Sequence, residues 1–559
     1  MFVLILCFVF GITSFKINLW AFLDSTNLIQ GGDLSSELAI AKIAYSGNLL
    51  GFTNEIGWPE GFSIWSYPLT GIGPILTYYI LGLFQTNFSI FFIYLLTFLI
   101  GNLINMISAY WMIKPQVKNN IYSYIFALVV GLSTLIYYRI GHMPVIWFYF
   151  PLIILGLWLR YASKPVKLIK LFFIIFIAGA LSPAWWVFVV IFFSFTISVI
   201  LLGKFRQNRT NYIFWTTVWI VSFVSLLPTY VLYTFNKSFV GELARNQWES
   251  NTFGGRFSDL FLLSPTLNSG LNLPQKLIDG VSPESSQNVI GIILAASFFV
   301  ALIFALYNTL VPNPNYPGDL TLLIFIIFMY FISGGLGNLQ ATLFTLINEA
   351  SPARAWSRLL ILISILGLYI FVKYLDSKNF KIKYILMISI FFASLSILET
   401  SYSKTTDLKK IYELEEYLPV QYIQNNSDNC PILQIPLDTI PVPQDFTFQN
   451  GTDFFQNEYI PYLISPKNKW SLGGSPGSKH WKDQISLTRE VNSLVASQLK
   501  EKGFCGMLFD KYFSQWQIGR NAGLNRVTGE NSNSGDWPGI TIEGLIPSYE
   551  NSRFQVYLF

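Results

Sequence analysis

Charged side chains are scarce in this chain: they make up 12% of its 559 residues, against about 25% in an ordinary soluble protein. Histidine occurs twice and cysteine three times. Cys7, Cys430 and Cys505 show neither metal-ligand spacing nor the pattern of a disulfide framework. Cys430 and Cys505 could pair if their region faces an oxidising compartment; two unpaired thiols is the reading the spacing favours. Whole enzyme classes lack their signature here, since there is no Walker A loop, no HExxH, no GxSxG and no paired CxxC. The apolar segments carry no series of carboxylates of the kind that relays ions through a transporter. The net charge of +5 is small for this length and sits mainly in short loops, so it speaks to topology and not to nucleic acid.

What the chain has in abundance is apolar surface: 52% hydrophobic and 17% aromatic residues, with a mean hydropathy of +0.47. Apolar runs near the length of a bilayer span recur through the first 400 or so residues, which defines a polytopic α-helical membrane protein. The expected spans are Met1–Ala21, Ser89–Ile113, Ile121–Tyr138, Val145–Leu159, Leu171–Leu181, Trp186–Leu202, Tyr212–Phe235, Val289–Leu310, Leu320–Gly335, Leu359–Tyr374 and Tyr384–Ile397. The fifth and sixth form a tight pair around Ser182-Pro183-Ala184. Met1–Ala21 reads as an uncleaved first helix, because no cleavage site follows it.

Basic loops orient these spans. Lys114 and Lys118; Arg160, Lys164, Lys167 and Lys170; Lys204, Arg206 and Arg209; and Lys378, Lys381 and Lys383 form four positive loops. All four are cytoplasmic only if Tyr67–Phe84, interrupted by Pro68, Gly71, Gly73 and Pro74, does not cross and instead lies at the interface or re-enters. About eleven helices then alternate, with a cytoplasmic N-terminus. The transmembrane domain covers residues 1–399, and its outer face holds loops 22–88, 236–288 and 336–358. Residues 400–559 lie on the same side. In a bacterium that side is the periplasm or its equivalent.

The last 160 or so residues gain Lys, Asp, Glu, Asn, Pro and Gly. Cys430–Pro436 and Phe504–Phe509 read as short buried strands, and Arg553–Phe559 alternates like an edge strand. Ile485–Lys500 has helical spacing and a stop at Gly503. A small external α/β domain is the expectation for 400–559. No internal repeat is visible.

The candidate chemistry lies in the outer segments. Gly31-Gly32-Asp33-Leu34-Ser35-Ser36-Glu37 puts two carboxylates beside a membrane helix and opens a short amphipathic helix over Asp33–Tyr45. Their four-residue spacing places both on one side of it; helix capping by Asp33 and a favourable first-turn Glu37 is the plainer account. Glu55, Trp58 and Glu60 follow in a Trp/Pro/Gly loop. Carboxylates with aromatic rings suit a saccharide or polar headgroup, and an interfacial aromatic belt explains the rings equally well. Arg139 and His142 stand at an outer helix end, where Arg139 could snorkel to headgroups. Arg354 and Arg358 lie four apart where a loop meets a helix, so their guanidinium groups could converge on a phosphate, either of a lipid headgroup or of a pyrophosphate-type substrate. Arg256 and Asp259 form a further charged cluster. His480 is isolated and reads as a surface residue.

In layout and short motifs the chain resembles the GT-C superfamily of membrane glycosyltransferases, in a bacterial branch that uses polyprenyl-phosphate sugars. The motifs are Gly32-Asp33 after the first helix, a Trp/Pro/Gly stretch before Gly73-Pro74, Gly141-His142 at a helix start, Ser258-Asp259 to Pro265, and Pro352-Ala353-Arg354 entering a late helix. Many such enzymes carry adjacent or DxD-like acids, whereas Leu34-Ser35-Ser36 separates Asp33 from Glu37 here. The resemblance implies sugar transfer from a polyprenyl-phosphate donor to a glycan or lipid acceptor on the outer face, with inversion. It implies Asp33 as general base, Glu37 beside it, and Arg354 and Arg358 on the leaving phosphate. A divalent Mg or Mn ion is compatible with oxygen ligands but not required. Two other readings remain open from sequence. One is a non-enzymatic assembly factor for envelope polysaccharide; the other is a lipid or polysaccharide transporter, which the uncharged spans disfavour.

Overall fold

The computed structural model describes residues 33–49, 52–66, 71–84, 89–133, 136, 139, 141–161, 168–203, 209–236, 254–255, 291–310, 318–332, 334–346, 355–377, 417–427, 429–435, 459–465, 467–471, 493–510, 545–551 and 554–559, with isolated positions at 384, 387 and 391. The expected first span falls outside these residues, and so does the last apart from the isolated positions.

Apolar sequence makes helices wherever the bilayer removes water as an alternative hydrogen-bond partner. The membrane region comprises α1 (Asp33–Tyr45), the short hairpin of β1 (Phe52–Thr53) and β2 (Phe62–Ser63), α2 (Ile72–Leu83), α3 (Ile90–Ile113), α4 (Asn120–Gly131), α5 (Met143–Ile146), α6 (Tyr149–Tyr161), α7 (Leu168–Leu181) and α8 (Ala184–Leu202). It continues with α9 (Arg209–Ser225), α10 (Leu227–Phe235), α11 (Ile292–Leu310), α12 (Gly318–Phe331), α13 (Leu336–Leu346) and α14 (Leu360–Ser377). Among the described residues, five helical stretches are long and apolar enough to cross a membrane: Ile90–Gln116, Met143–Tyr161, Ala184–Leu202, Arg209–Phe235 and Trp356–Ser377. Helices α2, α4 and α7 are shorter apolar segments.

Local chemistry sets the helix ends. Ser89 Oγ accepts from Phe92 N at 3.3 Å and Asn119 Oδ1 from Ile121 N at 3.0 Å, which caps α3 and α4. Pro144 and Pro228 fall at the first positions of α5 and α10, where a missing N–H costs nothing. The expected tight pair around Ser182-Pro183-Ala184 is present as α7 and α8.

At the opposite ends of α3 and α14 a second cap acts between helices. The buried Asp376 carboxylate of α14 accepts from Lys118 N at 2.8 Å and Asn119 N at 3.1 Å, just before α4 begins. Tyr122 OH donates to Leu375 O at 3.2 Å. Arg160 stacks over the Trp111 ring at 3.6 Å and donates to Gly156 O and Trp111 O, so a cation of the expected positive loops is held by aromatic and carbonyl groups.

The C-terminal residues form α15 (Tyr417–Asn426), β3 (Pro431–Ile435), α16 (Tyr459–Ile464), β4 (Lys469–Trp470), α17 (Ser493–Glu501), β5 (Gly506–Asp510), β6 (Tyr549–Glu550) and β7 (Phe554–Leu558). The five-stranded sheet has the order β4-β3-β5-β7-β6, with β4, β3 and β5 parallel and β7 antiparallel to both of its neighbours. Both expected buried strands are found. The alternating Arg553–Phe559 segment, however, is not an edge: β7 pairs with β5 on one side and β6 on the other, and Phe554, Gln555, Val556 and Tyr557 are all buried.

The expectation of unpaired thiols is also corrected. Cys430 and Cys505 form a disulfide, with their Cα atoms 5.7 Å apart. Each stands immediately before a strand, and the parallel pairing of β3 with β5 brings the two starts together. No sequence spacing could announce that register.

One face of the sheet shares its core with the membrane region: Ile432, Leu508 and Val556 belong to the same buried cluster as Leu38, Ile56, Trp65 and the long helices. The other face has a smaller core of Leu433, Leu499, Phe504, Met507, Phe509 and Tyr557, against which Trp58 of the first loop packs.

Replacing Asp376 by alanine orphans the two N–H groups at the start of α4. The expected cost is about 2 kcal/mol, read as a lower unfolding midpoint of the detergent-solubilised chain; Asp376→Asn, whose amide has one acceptor oxygen in place of two, should also lower the midpoint.

Candidate functional site

The site is organised by the turn between α7 and α8. Gly71, at the start of α2, lies so close to this turn that a Cβ would stand 2.6 Å from Pro183 Cα and N. Only glycine permits that approach, and it docks the first outer loop on Pro183. Directly after the turn come Trp185 and Trp186, both buried, with ring centroids 4.5 Å apart and edge-on. Trp186 Nε1 donates to Val145 O at 3.2 Å, and its ring lies 5.9 Å from that of Phe148. This fixes the Arg139–Phe148 turn against α8. Arg358 approaches the other tryptophan, with its guanidinium carbon 5.9 Å from the Trp185 ring.

Arg358 is held there by its own turn. Residues Trp356–Leu359 form a 3-10 turn entering α14, and Trp356 packs against Tyr330 at 5.1 Å and Phe192 at 6.0 Å. The described residues 254–255 join at the same place: Gly255 N donates to Phe331 O at 2.7 Å, and Gly255 pairs with Ile332 where α12 ends. Arg256 is the next residue in the chain; Arg256, Asp259 and Arg354 themselves lie outside the described residues.

The acidic helix α1 packs beside α2. Glu37 lies within electrostatic range of the buried Tyr78 phenol, which also has Tyr94 beside it with ring centroids 6.3 Å apart. One face of α1 continues to Tyr45, whose carbonyl would meet any Cβ on Gly82. From Glu37 to Tyr45 and from Tyr78 to Gly82 the two helices therefore run in the same direction. Asp33, the first described residue of α1, is thus on the side where α2 begins at Gly71.

The sequence places Arg139 at an outer helix end, where it could snorkel to headgroups. The structure instead buries it to 1% exposure. Its carbonyl accepts from His142 N at 2.8 Å in a tight turn, and α5 after that turn is pinned to α3 through Asn105 Nδ2, which donates to Ile146 O at 2.6 Å. Arg139 is therefore a residue of the packed interior, and His142 sits half-buried at its edge.

Glu55, Trp58 and Glu60 are drawn elsewhere. They lie in and beside the Gly57–Gly61 turn, which closes with Gly61 N donating to Gly57 O at 2.7 Å. Here the first loop joins the C-terminal sheet. Ile56 makes a parallel bridge to Trp470, Trp470 N donates to Glu55 O at 2.8 Å, and Trp58 N to Trp470 O at 3.2 Å. The loop thus extends the sheet beyond β4. Tyr462 OH donates to Glu55 Oε2 at 3.0 Å, and Lys469 Nζ lies 4.2 Å above the Trp58 ring. Glu55 and Trp58 thus have partners in the C-terminal region, while the Glu55 side chain stays exposed and Glu60 half-buried.

Lys42, in the last turn of α1, completes the joint. Its ammonium donates to Tyr462 O at 2.6 Å and stands 3.8 Å from the centre of the Tyr462 ring. Burial pushes the Lys42 amine down to about 8, with Glu55 opposing the shift, and burial followed by the Glu55 carboxylate holds the Tyr462 phenol well above its ordinary value. Neither Lys42 nor Tyr462 stands out in the sequence, and Trp185-Trp186 reads there as part of a span.

Among the described residues no three His, Cys, Asp or Glu side chains come together as a metal site. The folded chain releases the Lys42 proton near 8 and the unfolded chain near 10.5. Between those values the unfolded state holds more protons, so stability rises with pH. Wild type is expected to gain thermal stability relative to Lys42→Met from pH 8 to 10, measured as the difference between their unfolding midpoints; a constant difference would contradict the assignment.

No protein-family model matches this chain, and neither does any curated protein. Solved structures do match. The crystal structure of the Archaeoglobus fulgidus oligosaccharyltransferase in complex with Zn and sulfate is 13% identical over 91% of this chain and 68% of that one, with a TM-score of 0.43. The archaeal oligosaccharyltransferase AglB from Archaeoglobus fulgidus, in complex with an inhibitory peptide and a dolichol-phosphate, is 12% identical over 91% and 69%, with a TM-score of 0.50. The mycobacterial arabinofuranosyltransferase AftD is 12% identical over 98% of this chain but 41% of its own length, with a TM-score of 0.46. At such identity AglB is evidence for architecture alone. The chain shares its fold with the archaeal oligosaccharyltransferase AglB.

Proposed function

We propose that this protein is a membrane glycosyltransferase that moves a sugar from a polyprenyl-phosphate-linked donor to an envelope glycan or lipid acceptor at the membrane–water boundary. The observation that carries the reading is the meeting of three sequence-distant segments around the α7–α8 turn. The segment entering α2 approaches through Gly71, the Arg139–Phe148 turn through Trp186, and Arg358 through Trp185. In the reading proposed here, Asp33 is the acid and Arg358 the cation that the transfer needs.

In the proposed reaction the acceptor hydroxyl oxygen attacks the anomeric carbon from the face opposite the phosphate, inverting it. Asp33 takes the hydroxyl proton as general base. The bond from the anomeric carbon to the phosphate oxygen breaks, and its electron pair leaves with the lipid phosphate. Arg358, with Arg354 and Arg256 from the neighbouring loop segments, offsets the charge that develops there. Glu37, within electrostatic range of the Tyr78 phenol, supports the acidic end of α1. Each of these steps is carried by a side chain of the protein.

A lipid-linked donor diffuses within the bilayer, which is why the reading puts the reaction at its boundary. In this topology about eleven helices span the membrane, the N-terminus is cytoplasmic, and residues 400–559 are external. The Cys430–Cys505 disulfide supports an oxidising surrounding for that region.

Reconstituted with polyprenyl-phosphate sugars in vesicles, Asp33→Asn is expected to lose transfer by about 100-fold or more while inserting and folding normally. Wild-type rates in this variant would remove Asp33 as the base. Arg358→Ala should raise the KM for donor about tenfold, the equivalent of one charge-assisted contact. Unchanged donor KM and turnover would remove the phosphate contact.

A further inference from the structure

Helix α1 is held at two places by unlike chemistry. Towards its N-terminus lie Asp33 and Glu37, the acids of the proposed reaction. In its last turn lies Lys42, whose half-buried ammonium reaches C-terminal partners and one carboxylate: Tyr462 O at 2.6 Å, the Tyr462 ring at 3.8 Å, and the field of Glu55. The contacts continue from there as a closed circuit. Tyr462 OH donates to Glu55 Oε2, Trp470 N donates to Glu55 O, and Trp470 Nε1 donates at 3.2 Å to Ser465 O, one residue past α16. Trp58 adds an apolar anchor, lying against the core of Leu433, Leu499, Phe504, Met507, Phe509 and Tyr557.

A buried ammonium is an unfavourable way to join two surfaces, because an apolar residue of similar volume avoids the desolvation. What the ammonium supplies is direction: it is satisfied only when the carbonyl and ring of Tyr462 are both in place. A 13-residue helix is stiff enough to carry that constraint to its other end. We infer that Lys42 is a positioning residue through which the C-terminal sheet and α16 hold the helix bearing Asp33 and Glu37. The C-terminal region is then a component of the framework of the reaction centre and not a separate recognition module. The catalytic consequence rests on the glycosyltransferase reading; the mechanical link does not.

Amide hydrogen exchange on the full chain in lipid nanodiscs separates the two. In Lys42→Ala and Trp58→Ala, peptides covering 33–45 are expected to exchange about tenfold faster than in wild type. Lys42→Arg, which keeps a donor and a cation for the ring, should stay within about twofold. Peptides within α3 should be unchanged in all three, which a general loss of folding would not allow. Unaltered exchange over 33–45 in both alanine variants overturns the inference. In sugar transfer, Lys42→Ala should lower kcat about tenfold with KM within about twofold, and Lys42→Arg should recover it. Faster exchange with undiminished kcat overturns the positioning role while leaving the glycosyltransferase reading intact. A wild-type chain that transfers none of the sugars offered removes that reading alone, and the exchange result still decides whether Lys42 holds the helix.

Discussion

The approach of Gly71 to Pro183 is the contact on which the rest of the arrangement depends. A side chain at residue 71 would collide with the backbone of the α7–α8 turn, so the first outer loop can reach the bundle interior only where the sequence places glycine. Once it does, the start of α2 is set against the turn that leads into Trp185 and Trp186. Those two indoles receive the Arg139–Phe148 turn and Arg358. Three segments far apart in the chain are thereby registered against one rigid aromatic corner.

Three charged groups among the described residues are answered individually. Asp376 serves backbone N–H groups of another helix, Arg160 lies on an indole and donates to carbonyls, and Lys42 is enclosed by a tyrosine and answered by Glu55. Each is a case in which burial would be prohibitive without a partner, and each has one. The acidic start of α1 belongs to the same pattern in a different sense. Its Glu37 has phenols within reach, and the carboxylate end of this helix takes its position from the C-terminal joint at the other end.

Much of the fold was legible in the chain because the relevant signals are local. Long apolar runs, Ser89 and Asn119 as caps, the Ser182-Pro183-Ala184 turn, and the buried strands after Cys430 and Phe504 all follow from composition and spacing. Site residues were legible by type more than by place. Arg358 proved to sit in a turn entering a late helix, as its motif suggested. Arg139 reads from sequence as a cation at an outer helix end; the structure buries it, beside a tight turn whose following helix is tied to Asn105. Glu55 and Trp58 have the composition of a sugar site, but composition does not reveal that they also join the first loop to the C-terminal sheet.

By itself the sequence determined that this is a helical membrane protein, where most of its helices and two of its central strands lie, and which residue types are available for chemistry. Those properties arise from hydrophobic periodicity and short-range capping, which act within a few turns of chain. Only the tertiary structure decided that Cys430 meets Cys505, that β7 is an interior strand, that Lys42 answers to Tyr462, and that the corner at Trp185-Trp186 gathers the candidate site. These are pairings between positions tens to hundreds of residues apart. They depend on strand register and on how closely two backbones can approach, quantities that no local pattern encodes.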